Sequence, residues 1–502
     1  MRTFFKILRD CGIKPYVVID GGSDKTDKKF DTLLGRANSR AKVAHEISMG
    51  RRGELTPTLS NCVFTQVLSS LNVPFAHCIN EADQEIASLA RTWGCPVLSS
   101  DSDFCIVDIP EGFLPIDHFN WKRGTQRDGI PCKLYTTASF CRHFNVHSQI
   151  LPVFAAIAKK NYNSHYLTNQ SLMVELLKSL AGIQEQQEAL NMVPPEFHAD
   201  LHLVTEEYKF INGHLEQFFN EGVAPGHGDL PGHLSVLPAW TLLPLMKGET
   251  CYSMVYVLLR LPVILSTQVE DPSQTSGHVT SLPIRQVAYG LLLGRGESIQ
   301  EYDREGQIYT INLVKAVLPR SAQHLDISTL HQASHEVRLE VFLETLRVTK
   351  AMIHCVPPHL GLPVAVTSYW LRHAHPRPEM PLLQALLIGM VYGEHCRETT
   401  GQKEPVVTSL KALIQPASME LNLGVAHAFS QWQSCLRETL KLNKLLCFPV
   451  PEPQVAWLYK GTLVHQLVTQ LRTGLETPDS LLMEDRSSVQ LYRAMLNAVQ
   501  NS

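Results

Sequence analysis

No Cys-x-x-Cys pair occurs anywhere in the 502 residues, and the 12 cysteines follow no regular spacing. That argues against structural zinc and against a disulfide framework, and it fits reduced thiols in a soluble intracellular protein. Long hydrophobic runs are also lacking. The longest, Tyr252 to Leu265, contains Arg260 and is too short to span a bilayer. The N-terminus alternates charged with apolar residues, unlike a secretory signal. There is no basic excess: the formal net charge is −4, so a nucleic-acid partner would need a local basic patch. No Gly-Lys-Ser/Thr follows Gly290, Gly294 and Gly296, which excludes a P-loop. The histidines of Gly226-His227-Gly228-Asp229 and His373-Ala374-His375 lack metal-ligand spacing. His143 and His147 are expected to share a helical face but have no third ligand. No fixed-period repeat and no low-complexity tail are visible.

What is present is an early alternation of helix-like and strand-like segments. Tyr16–Asp20 is continuously apolar up to its final carboxylate, as a buried parallel strand would be. Val73–Ile79 and Pro96–Ser99 read as further strands, and Cys105–Val107 as an extension of that pattern. Phe4–Cys11, 28–49, Cys62–Leu71 and Glu81–Trp93 read as helices, the last stopped by Gly94. Strand–helix alternation predicts an α/β domain with a parallel sheet over residues 1–150. A helical connector is expected over 151–230 and a mostly α-helical region over 231–502. The Gly/Pro/His loop from Gly222 to His233 is the expected linker. Met254–Leu265, Ile284–Leu293, Val337–Ile353, Leu382–Val391, Ala426–Leu446 and Val464–Leu471 are the expected apolar helices. Trp432 is expected in the core.

The chemistry lies in carboxylates at three places. Asp20 ends the first strand, Glu81 and Asp83 open a helix, and Asp101 and Asp103 follow the third strand. In an open α/β sheet, strand exits and the following helix starts share one rim. Asp20, Glu81, Asp83, Asp101 and Asp103 could therefore converge around one or two Mg²⁺ or Mn²⁺ ions and support hydrolysis of a phosphodiester. Each has a plainer reading. Asp20 could bond local backbone amides, first-turn acids favour the helix dipole, and Ser-Asp-Ser-Asp could be a surface turn. Glu85, one turn past Glu81, reads as a solvated face.

Val18-Ile19-Asp20-Gly21, Glu81-Ala82-Asp83 and Ser100-Asp101-Ser102-Asp103-Phe104 resemble the flap-endonuclease-like family of structure-specific nucleases, which carry a PIN-like α/β domain. The chain is more closely similar to the asteroid branch, over nearly its whole length. The strings are Pro15–Gly22, Cys95–Cys105, Pro283-Ile284-Arg285-Gln286 and Gln431-Trp432-Gln433-Ser434-Cys435-Leu436. The resemblance implies a Mg²⁺-dependent nuclease for single-stranded or 3′-overhang DNA. It also implies a nuclear protein, with a cytoplasmic pool allowed, that works with double-strand-break repair proteins in end joining. Two departures stand out. Family members begin Met-Gly-Ile, followed by a strand with another metal-binding Asp, and that strand is expected to be absent here. Lys159-Lys160-Asn161 stands where the family has Gly-Asn/Ser-Asp. These departures predict impaired activity and keep open an alternative, a catalytically inactive adaptor in repair or growth-factor receptor signalling.

Lys29 and Arg36 lie two helical turns apart on one face, which Arg40 extends. The resemblance makes this an arch helix whose cations steer the scissile phosphate, and phosphate contacts would make binding salt-dependent. The plainer reading is a solvated helix with both signs of charge.

Overall fold

The computed structural model describes residues 1–22, 30–79, 82–162, 170–191, 198, 213–398, 410, 421–474, 476–483 and 485–501. The chain divides into two compact units, one formed by Met1–Gly22 with Leu68–Pro225 and the other by Ser23–Val67 with Gly226–Ser502. The passage at Pro225–Gly226 falls inside the Gly/Pro/His loop.

In the first unit, β-branched residues give β1 its extended form over Val17–Ile19. It pairs in parallel with β2, Phe75–His77, in the register Val17↔Phe75 and Ile19↔His77. A second parallel pair joins β3, Val97–Ser99, to β4, Phe113–Pro115. The helix Ala82–Trp93 packs against both β1 and β3. Its polarity is written in its sequence: Asp83 and Glu85 stand in the first turn and Arg91 in the last. Gly94, at φ 58°, ends it in the left-handed conformation that glycine adopts without a Cβ penalty. Beneath it Ala90, Val97, Phe104, Ile109 and Phe113 form one apolar cluster.

Cys105–Val107 does not continue as a strand. Asp101 accepts from the Asp103 amide and caps a 3₁₀ turn, Ser102–Cys105, which turns Phe104 into the core. A second cluster gathers Val146, Ile150, Leu151, Phe154, Leu177 and Leu180. The helix Thr137–Phe144 stops at Asn145, which takes a left-handed conformation at φ 53°. His143 and His147 are therefore not on one helix. The His147 Nδ1 instead accepts from the Gln149 amide at 3.4 Å and caps the next turn. All 12 cysteines are free thiols.

The second unit is mainly helical around one small sheet. The helix Phe30–Ser48, expected within 1–150, packs here. Its Ala37 and Ala41 cluster with Tyr309, and Asn38 Oδ1 accepts from the Tyr309 amide at 2.9 Å. Tyr309 lies in β7, Ile308–Lys315, which is antiparallel to β6, Ser298–Glu305; β6 in turn pairs in parallel with β5, Val263–Ile264. The expected helix over Met254–Leu265 ends at Leu258, since Arg260 is left-handed at φ 59° and β5 follows. The helices Pro358–His373, Met380–Glu398, Leu423–Leu445, Gly461–Thr473 and Arg486–Gln500 build the core. Leu423–Leu445 is buried nearly all round, and Trp432 is fully buried with Nε1 donating to Thr367 Oγ1 at 3.1 Å. Gly393 permits a close approach: a Cβ there would lie 1.6 Å from the Trp457 carbonyl oxygen.

A buried polar network ties helix to sheet. Arg285 grips Glu301 of β6 bidentately, Nε to Oε1 at 2.6 Å and Nη2 to Oε2 at 2.9 Å. Its Nη1 also donates to the His278 carbonyl at 2.9 Å, and the His278 ring is hydrogen-bonded to Ser434. The strings Pro283–Gln286 and Gln431–Leu436 thus meet at His278.

Candidate functional site

The acidic residues of the first unit sit where strands end. Asp20 follows β1 directly and is exposed. Its Oδ1 accepts from the Ala82 amide, the first of the helix Ala82–Trp93, at 3.0 Å. This bond spans 62 residues of sequence and fixes the exit of β1 to the start of that helix. It satisfies one of the amides that a helix N-terminus leaves without an intrahelical partner. Asp83 stands in the same first turn, half-buried. Cys78, one residue after β2, is a marker of the local field. Its thiol is pushed well up, first by burial and then by the carboxylates of Glu85, Asp20 and Asp83. All three carboxylates therefore act on the thiol that follows β2.

Asp101 and Asp103 form a second group after β3. Asp101 is exposed, and its Oδ1 accepts from the Asp103 amide at 2.9 Å. Both raise the Cys105 thiol, after burial, which acts first. The helix Ala82–Trp93 contacts β1, β3 and the Ser102–Cys105 turn. Glu81 lies outside the described residues. Among the described residues, no three His, Cys, Asp or Glu side chains are grouped so as to hold a metal ion. Asp20, Asp83, Asp101 and Asp103 offer only oxygen donors, the ligand type that hard cations such as Mg²⁺ or Mn²⁺ take.

Glu85 is not a solvated side chain. Its Oε2 accepts from the amides of His214 at 2.7 Å and Leu215 at 3.3 Å, capping the helix Leu215–Glu221. A carboxylate in a first helical turn carries no mark of a partner 129 residues away. Arg91 has a comparable role, with Nε donating to the Asp108 carbonyl at 2.7 Å.

Of the basic residues, Lys29 lies outside the described residues. The side chains of Lys159, Lys160 and Asn161 do too. Arg36 and Arg40 are exposed and one turn apart on Phe30–Ser48, with Arg40 flanking the buried Ala37, Ala41 and Ala44. Among the described residues, no helix is long and apolar enough to cross a membrane.

The molecule is thus a predominantly helical protein whose first unit carries carboxylates at the exits of short parallel strands. Residues 406–502 match the family model described as Asteroid N-terminal domain. Over 99% of its length the chain is 38% identical to a Danio rerio protein named single-strand DNA endonuclease ASTE1, of which it covers 77%. A Homo sapiens relative of the same name is 34% identical over the whole chain and 82% of its own length. The Drosophila melanogaster protein asteroid is 39% identical over 22% of the chain and 13% of its own length. The chain belongs to the asteroid family.

Proposed function

We propose that this chain is a metal-dependent, structure-specific endonuclease with a PIN-like first unit, acting on single-stranded or 3′-overhang DNA. The observation that carries the reading is the Asp20–Ala82 hydrogen bond. It joins one strand exit to the helix start that holds Asp83, on a helix that also packs against β3. The names of the Danio rerio and Homo sapiens relatives support single-stranded DNA as the substrate.

Asp20, Glu81, Asp83, Asp101 and Asp103 would hold one or two Mg²⁺ or Mn²⁺ ions. Such ions, when bound, lower the pKa of an attacking water and neutralise charge on the leaving oxygen. The protein's own groups do the positioning. Asp20 locks β1 to the helix start, and Asp101 fixes the turn that carries Asp103. Lys29, Arg36 and Arg40 would hold backbone phosphates and orient the strand. On the same reading, this activity would belong to the nucleus, with a cytoplasmic pool, alongside double-strand-break repair proteins in end joining.

The test is cleavage of end-labelled single-stranded, 3′-overhang and blunt duplex DNA with Mg²⁺, Mn²⁺ or EDTA. Cleavage of the first two, absent in EDTA and lost in Asp101→Ala, is expected. Asp101→Ala turnover equal to that of the parent would remove the site assignment. Lys159-Lys160-Asn161, standing where the family has Gly-Asn/Ser-Asp, keeps open a second reading, a non-catalytic adaptor for repair or growth-factor receptor signalling. That reading predicts no cleavage with either metal while a protein partner still binds.

A further inference from the structure

The second unit contains a cleft of about 370 Å³ that the acidic residues do not touch. This is within the roughly 300–1,000 Å³ typical of small-ligand sites. Its lining is chemically mixed in a particular way. Arg40 comes from the helix Phe30–Ser48, where it is exposed, and Arg437 and Lys441 come from the helix Leu423–Leu445. Phe30, Tyr252 and Tyr256 supply aromatic surface, the two tyrosine rings meeting edge to face at 6.0 Å.

Among the described residues the charge is not cancelled locally. Arg40 has no ion-pair partner among the described residues. Lys441 Nζ donates to Glu438 Oε1 at 2.9 Å, and Arg437 lies 3.9 Å from the same oxygen. Among the described residues one carboxylate thus serves two cations, so the three cations of the cleft keep a positive excess there. Arg437 is also held in place, since its Nη1 donates to Ser266 Oγ at 2.6 Å. Ser266 and Thr267 bring hydroxyls to the same wall. Fixed guanidinium and ammonium groups beside aromatic faces match a phosphate joined to a flat, stackable base.

We infer that this cleft binds one nucleotide unit, with its phosphate held by Arg40, Arg437 and Lys441 and its base against the aromatic residues. The unit can be the 5′-phosphorylated end of a single strand or a free nucleoside monophosphate. The first source rests on the endonuclease reading above, and the second does not.

Fluorescence anisotropy with the full chain in EDTA tests this without any cleavage. The probes are a labelled oligothymidylate with a 5′-phosphate and the same strand without it, with thymidine 5′-monophosphate as competitor. The 5′-phosphate strand should bind on the order of tenfold more tightly than its unphosphorylated form, and the monophosphate should displace it. Arg40→Gln, an exposed position that leaves the fold intact by circular dichroism, should weaken binding by a similar factor, and Tyr256→Ala should weaken it too. Arg493→Gln, at an exposed pair with Asp479, should change nothing. Binding of the monophosphate alone supports the cleft as a free-nucleotide site. Indifference to the 5′-phosphate together with full binding by Arg40→Gln overturns the inference. Nucleotide binding in a chain that never cleaves DNA would leave this site standing and sink the nuclease reading. Cleavage without cleft binding would do the reverse.

Discussion

Glu438→Gln should destabilise the second unit by an amount that depends on pH in a calculable way. Glu438 is 5% exposed, and burial alone would raise its pKa. Lys441, Arg437 and Arg285 outweigh burial and bring it from 4.5 down to about 2. At 1.36 kcal/mol per pH unit, a drop of that size is worth about 3 kcal/mol. A depressed carboxylate contributes fully above its unfolded pKa and loses that contribution as pH falls through the folded value. The parent should therefore exceed Glu438→Gln by about 3 kcal/mol at pH 7. The gap should close progressively below about pH 4.5, with roughly 1 kcal/mol of it lost by pH 3.5. Urea unfolding followed by far-ultraviolet circular dichroism, run on both proteins at pH 7, 5 and 3.5, reads this directly. A gap under 1 kcal/mol at pH 7, or one that stays constant to pH 3.5, would refute the reasoning.

Three further outcomes follow from the same structure. Arg285→Met leaves Glu301 buried with its guanidinium partner gone and should cost about 3–5 kcal/mol by urea unfolding, whereas Arg285→Met with Glu301→Leu should recover much of that loss. Gly393→Ala forces a methyl group onto the Trp457 carbonyl and should lower stability by at least about 1–3 kcal/mol, seen as a reduced thermal midpoint. Arg36→Gln and Arg40→Gln should each weaken single-strand binding and lower the salt slope by about one, with thermal midpoints unchanged.

Much of the first unit was legible in the sequence because its signals are local. Tyr16–Asp20 is a short apolar run ending in an acid, Pro96–Ser99 is one that Asp101 soon follows, and Ala82–Trp93 carries its own start and stop residues. The Asp20–Ala82 bond joins one strand exit to one helix start, while β1–β2 and β3–β4 form two separate parallel pairs among the described residues. The hairpin β6–β7 was not legible. Along β6 the buried positions include Glu301 and Asp303, so hydrophobic alternation is replaced by polar residues. Those residues are satisfied by Arg285 and Ser276 from elsewhere in the chain, which periodicity does not register. The run Val337–Ile353 looked continuous, yet it splits at Arg347, whose left-handed conformation separates His335–Leu346 from Lys350–His354. The place of the helix Phe30–Ser48 was hidden for a similar reason. Its small buried face of alanines gives little hydrophobic signal but fits closely against Tyr309.

The central claim is that Asp20, the start of the helix Ala82–Trp93 and Asp101 contribute to one divalent-cation site. Titration of the full chain with Mn²⁺, reading free ion by electron paramagnetic resonance, tests it most directly. The account predicts saturable binding of one or two ions that Mg²⁺ displaces, weakened at least tenfold in both Asp20→Asn and Asp101→Asn, on the rule that removing anionic ligands lowers divalent affinity. Binding unchanged by either substitution, or no binding by the folded parent, would contradict it.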